Sequence, residues 1–102
     1  MAIAIVMDFD GGTLEQYDRV IELMKFTPGG RGAVHGLFHW VAPTDNGIRV
    51  TDVWESQESF DKFAAEQIGP FTQQVGIPAP PRITTYPVHN YLTAGSDVLS
   101  PA

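Results

Sequence analysis

The chain has 102 residues, 43% of them apolar and 11% aromatic, enough for one hydrophobic core without staples. It contains no cysteine, which excludes a disulfide framework, a thiolate metal site and a cysteine nucleophile, and fits a reducing, cytoplasmic setting. Six basic against twelve acidic residues leave a net charge of -6, so nucleic acid and anionic membranes, both bound through clustered Lys and Arg, are poor partners; an apolar or neutral ligand suits the chain better.

The first residues, Met1 to Asp8, lack the positive region of a signal peptide, and no later stretch reaches the ~18 apolar residues of a membrane span. Ala2 to Phe9 reads as a buried strand closed by the turn Asp10-Gly11-Gly12. Thr13 then opens a helix through the T-x-x-Q capping box with Gln16, and Leu14, Tyr17, Val20, Ile21 and Met24 form its apolar stripe. Pro28, Gly29, Gly30 and Gly32 make the next segment a flexible connector, because proline lacks the N–H and glycine costs backbone entropy.

His35 to Ala42 is predicted as a second strand, Asn46-Gly47 as the tight turn of a hairpin, and Ile48 to Glu55 as the third strand. Ser56 caps a second helix with the stripe Phe60, Phe63, Ala64, Ile68, Phe71 and Val75, interrupted at Gly69-Pro70, where a kink or restart is expected between Ile68 and Phe71. A fourth strand from about Arg82 to Asn90 tolerates Pro87 only at an edge or bulge. Residues 1–92 thus form one domain, and 93–102 a flexible tail of Gly, Ser, Ala and Pro.

The order strand, helix, strand, strand, helix, strand predicts an α+β domain of the ferredoxin-like βαββαβ kind, an antiparallel four-stranded sheet with both helices on one face. The other face should then alternate apolar with polar residues. It does not: Val6 with two alanines backs Ile3, Ile5, Met7 and Phe9 in the first strand, and Phe38 and Trp40 back Leu37 and Val41 in the second. A second copy of the chain is the economical cover, giving a homodimer through sheet faces.

The order of elements, the hairpin segment Leu37-Phe38-His39-Trp40 through Val53-Trp54-Glu55-Ser56, and the last strand with Tyr86-Pro87-Val88-His89-Asn90-Tyr91 resemble the dimeric α/β-barrel superfamily. The similarity is to its small members related to the antibiotic-biosynthesis monooxygenases, and it runs from about Ala2 to Leu92. The resemblance implies a pocket between sheet and helices and no organic cofactor. It does not choose among oxygenation, cyclisation, isomerisation, haem breakdown and plain ligand binding, all of which this scaffold supports. Haem-using relatives carry their histidine on a helix, and both predicted helices here are histidine-free.

With a two-residue Asn46-Gly47 turn, Asp45 faces Ile48, His39 faces Trp54 and Val41 faces Asp52, so His39 and Asp52 are diagonal neighbours beside an indole. An imidazole held by a carboxylate is a credible general base, with Tyr17 and Trp54 packing on a flat substrate. A three-residue turn would dissolve the pair, and His39 reads equally as a hydrogen-bonded residue in a crowded sheet. His89 and Asn90, at the end of the last strand, offer a second base and an oxyanion donor, or simply edge polarity. Phe71 can line an entrance beside the Gly69-Pro70 interruption, and Tyr86 completes the substrate-binding candidates. The three histidines lack the spacing of a zinc motif, so no metal is expected. Two functions follow: a cofactor-free monooxygenase or cyclase acting on an aromatic or polyketide-like substrate, or a non-catalytic module that binds a small hydrophobic ligand or serves as a stress-type accessory protein.

Overall fold

A computed structural model describes residues 1–93. The strand periodicity is written in β1 (Ile3–Asp10), which buries Ile3, Ile5, Met7 and Phe9 and leaves Ala4, Val6 and Asp8 half-buried on the opposite face. The capping box forms as the sequence predicts: Thr13 N–H donates to Gln16 Oε1 (3.0 Å) and Gln16 N–H to Thr13 Oγ1 (3.1 Å), starting α1 (Leu14–Leu23). The Gln16 side chain also donates to the carbonyls of Val75 (3.4 Å) and Gly76 (3.2 Å), tying the start of α1 to the far end of the chain's helical region.

The helix stops on a Schellman turn, with Lys25 N–H bonded to Glu22 O (3.0 Å) and Phe26 N–H to Ile21 O (3.1 Å). Lys25 takes the left-handed conformation (φ 65°) usually given to glycine, and the turn sends Phe26 back to stack on Phe63 at 6.4 Å.

β2 (Gly36–Pro43) and β3 (Gly47–Trp54) form the predicted hairpin with a different turn. Thr44 N–H donates to Gly47 O (2.8 Å), so the turn residues are Asp45 and Asn46. Pro43 therefore pairs with Ile48, Val41 with Val50 and His39 with Asp52. Every expected partner is displaced by two residues, which keeps each side chain on its expected face. Glycine stands at position 47 because β1 passes close by: a Cβ there would collide with the Phe9 carbonyl oxygen. Leu37 is bulged out of the ladder, so that Gly36 faces Trp54.

The second helical region is continuous in backbone but has three parts: α2 (Gln57–Phe63), a π-helical turn over Ala64–Ile68, and α3 (Gly69–Gln74). The expected restart falls at Gly69, and it is reached without a break in the helix: the chain widens by one residue ahead of the proline. Gly69 N–H bonds to Ala64 O five residues back, and Pro70 falls in the first turn of α3, directly after the widened turn. Ser56 caps α2 through its Oγ, which accepts from Ser59 N–H (3.1 Å).

β4 (Arg82–Pro87) is shorter than expected, ending at Pro87 rather than Asn90, although Val88 N–H still donates to Ala2 O (3.0 Å). The sheet order β2-β3-β1-β4, antiparallel throughout, makes β4 an edge strand and so admits the proline. Val20, Phe60 and Val75 pack on Ile5, Met7, Phe9, Ile48, Val50 and Trp54, putting α1, α2 and the end of α3 over one face of the sheet in a ferredoxin-like α+β fold. The expected C-terminal tail, apart from Thr93, lies outside the described residues. Among the described residues, no helix is long and apolar enough to cross a membrane.

Candidate functional site

The register of the hairpin decides the site. His39 lies on edge strand β2 directly opposite Asp52 on β3, and both point to the helix-bearing side. His39 Nδ1 and Asp52 Oδ1 are 2.5 Å apart, and the second carboxylate oxygen accepts from Trp54 Nε1–H at 3.0 Å. Asp52 is only 5% exposed; a buried carboxylate is costly unless each oxygen finds a donor, and here each has one. Among the described residues, no buried side-chain nitrogen or oxygen is left without a partner.

From the other side, Tyr17 Oη on α1 reaches His39 Nε2 at 2.5 Å, with the two rings within 11° of parallel. The network assigns the tautomer. A carboxylate only accepts, so Nδ1 carries the imidazole proton, Nε2 offers its lone pair, and Tyr17 O–H donates to it. Burial, and then the charges of Asp52 and Asp18, push the Tyr17 phenol up to about 12, so it stays protonated across the physiological range. The result is a chain of hydrogen bonds from Trp54 through Asp52 and His39 to Tyr17, buried at the indole and the carboxylate, exposed at the imidazole and half-buried at the phenol. His39 keeps 41% of its side chain exposed.

Of the other predicted site residues, Trp54 joins this chain and Phe71, Tyr86, His89 and Asn90 do not. Trp54 sits two residues along β3 from the position opposite His39, with its Cζ2 3.8 Å from where a Cβ on Gly36 would stand. Its indole is wedged against Phe60 (centroids 6.0 Å) and Phe63 (5.0 Å), so it is a wall and a hydrogen-bond donor to Asp52. Phe71 is half-buried and packs on the core. Tyr86 pairs with Ala4 and so lies on the opposite face of the sheet, 55% exposed. His89 and Asn90 are exposed past the end of β4, and among the described residues no side-chain hydrogen bond links them to the relay. His35 is bonded to Glu55 at 2.7 Å.

Beside the relay an open groove of about 740 Å³ runs between the α1–β2 connector and α2, walled by Met24, Phe26, Val34, Trp54 and Phe63. Its size falls within the ~300–1,000 Å³ range of ligand sites. Trp54 belongs to both groove and relay, while His39, Asp52 and Tyr17 stand outside the groove lining. Met24 is seven residues beyond Tyr17, about 10 Å along α1, so groove and relay adjoin end to end. The connector was expected to be a mere flexible link; the Schellman turn that brings Phe26 into the groove has no glycine to announce it. The bond between Tyr17 and His39 has no local signal either, since it joins residues 22 apart in sequence. Among the described residues, no group of three His, Cys, Asp or Glu side chains is placed to hold a metal ion.

Strand order, helix placement and the acid–imidazole–phenol relay define a ferredoxin-like α+β chain with a candidate proton-transfer site on the helix-bearing side of its sheet. Solved structures share this architecture. A monooxygenase of Streptomyces coelicolor, in complex with the ligand nanaomycin D, superposes with a TM-score of 0.54 at 17% identity over 92% of each chain. A putative antibiotic biosynthesis monooxygenase from Chloroflexus aurantiacus superposes with a TM-score of 0.55 at 21% identity, over 89% of this chain and 97% of its own. At such identities the likeness is one of fold. No family model matches the chain, and no curated protein matches it by sequence.

Proposed function

We propose that the protein is a cofactor-independent monooxygenase or cyclase, working as a homodimer on a flat aromatic or polyketide-like substrate with an acidic C–H or hydroxyl. The observation that carries this reading is the imidazole of His39, held by a buried carboxylate on one nitrogen and accepting the Tyr17 hydroxyl's hydrogen bond on the other. For an anthrone-type methylene, the His39–Asp52 pair takes the proton and the carbanion's electrons reduce dioxygen, forming a C–O bond. Loss of the second C–H with cleavage of the O–O bond leaves a carbonyl and releases water, so one oxygen atom enters the product and the other the water.

The fold neighbours that are monooxygenases support the reaction class. The apolar outer face supports the homodimer: Phe38, Trp40 and Tyr86 are 46%, 42% and 55% exposed on the single chain and would be covered by a second sheet. The cysteine-free composition suits a cytoplasmic setting.

A second reading, a binding module for a small hydrophobic ligand, is favoured by the groove itself, whose lining excludes His39, Asp52 and Tyr17. Oxygen uptake and product mass, measured with a panel of anthrone-type and quinone-type phenols under air, separate the two. The first reading expects oxygen consumption that falls by about 10²–10⁴-fold in His39→Gln. No oxygen consumed while a panel compound still binds, unaffected by His39→Gln, would give the function to the second.

A further inference from the structure

We infer that Tyr17 is a catalytic residue: its Oη is the atom that touches the substrate, receiving the substrate's proton as it passes its own to His39 Nε2. The inference rests on the proton-transfer half of the reading above and changes which atom meets the ligand.

Nδ1 of His39 is taken by Asp52 and Nε2 by Tyr17, each at 2.5 Å, so neither ring nitrogen has a free lone pair or proton to present. Tyr17 Oη donates its one hydrogen to Nε2 and keeps acceptor capacity on the side away from His39. Tyr17 is half-buried and His39 keeps 41% of its side chain exposed, so their hydrogen bond lies on the solvent side of the relay, whereas Asp52 and Trp54 are buried. A direct attack by His39 would require the substrate to displace the short hydrogen bond from Tyr17 first.

Proton movement through the phenol balances without any added group. The substrate's C–H or O–H bond breaks and its proton bonds to Tyr17 Oη; the former phenolic proton bonds to His39 Nε2. The products are a substrate anion, an unchanged phenol, and an imidazolium lying against the Asp52 carboxylate. Because the free phenol stays protonated up to about pH 12, it works as a conduit coupled to His39 and not as a phenolate base of its own.

The test is proton exchange without oxygen. Under anaerobic conditions in D₂O, the wild-type protein is expected to accelerate deuterium incorporation into the methylene of dithranol, followed by proton NMR. Tyr17→Phe and His39→Gln should both lose that acceleration by about 10²-fold or more, with KM for dithranol little changed in Tyr17→Phe. Replacing Tyr17 by 3-fluorotyrosine, which keeps the hydroxyl, should restore exchange; near-UV circular dichroism checks that each variant is folded. A Tyr17→Phe protein that exchanges as fast as wild type, or faster, would make the phenol a removable cap and overturn the inference, as would a wild type that does not accelerate exchange. Failure of the oxygenase reading looks different: exchange proceeds through Tyr17 while no oxygen is consumed in air.

Discussion

On the helix-bearing side of the sheet, Trp54 is 4% exposed, packs against Phe60 and Phe63 and gives its N–H to a buried carboxylate. On the far side Trp40, from the neighbouring strand, is 42% exposed, and Phe38 on the same strand and Tyr86 on the opposite edge strand are 46% and 55% exposed, all facing away from the core. The two tryptophans teach that one sheet holds two kinds of apolar surface. One is consumed by the fold of the single chain and shaped around a polar relay, and the other stays exposed on that chain.

The largest effect should come from the buried tryptophan. Trp54→Ala removes a core side chain and the donor to Asp52 together, and should lower the unfolding free energy by about 3–5 kcal/mol in urea titrations, if the protein folds at all. Trp40→Ser should change the stability of the isolated chain by no more than about 0.5 kcal/mol, while converting a dimer to a monomer in sedimentation runs at micromolar concentration. A wild-type chain that sediments as a monomer, or a Trp40→Ser protein as unstable as Trp54→Ala when both are monomeric, would break the contrast between the faces.

The smallest effect sharpens it by pH. Tyr17 on the helix-bearing side has its phenol raised from 10.0 to about 12 by burial, Asp52 and Asp18, so the native state holds this proton more tightly than the unfolded chain does. The stability this represents is complete below the unfolded value of about 10 and is lost as pH climbs towards 12. Urea midpoints should therefore fall over that window in the wild type, and this component should be missing from Tyr17→Phe.

Much of the fold could be read from periodicity and punctuation. The parity of β1, the capping box at Thr13 and the strand-turn-strand signal before Ser56 are local, and local physics produced them. The meeting of His39 and Asp52 was legible for a narrower reason. The turn lies at Asp45-Asn46 and not Asn46-Gly47, yet the displacement is by two residues, and a period-two structure forgives an even error.

What could not be read depends on contacts between distant segments. Tyr17 was expected as a flat platform and instead donates to His39, because the packing of α1 on the sheet, and not any spacing in the chain, brings its hydroxyl there. The π-helical turn escaped for a similar reason: proline announces trouble in a helix, but whether the chain kinks or widens depends on what the helix packs against. Tyr86 was gathered into the same site as His39, although strand pairing sends it to the other face.

The crowding at Gly47 has a consequence for what the hairpin can become. The tip is held to β1 from two directions, by the Gly11 N–H bonded to Asn46 O at 2.7 Å and by the closeness of the Phe9 carbonyl to position 47. If β3 slid past β1 by a pair of residues, a side chain would be driven into the space only glycine fits. Sterics thus forbid slippage of β3 along β1, and an ångström-scale clearance at one end of the strand keeps the acid Asp52 seated beside Ile5 near the other.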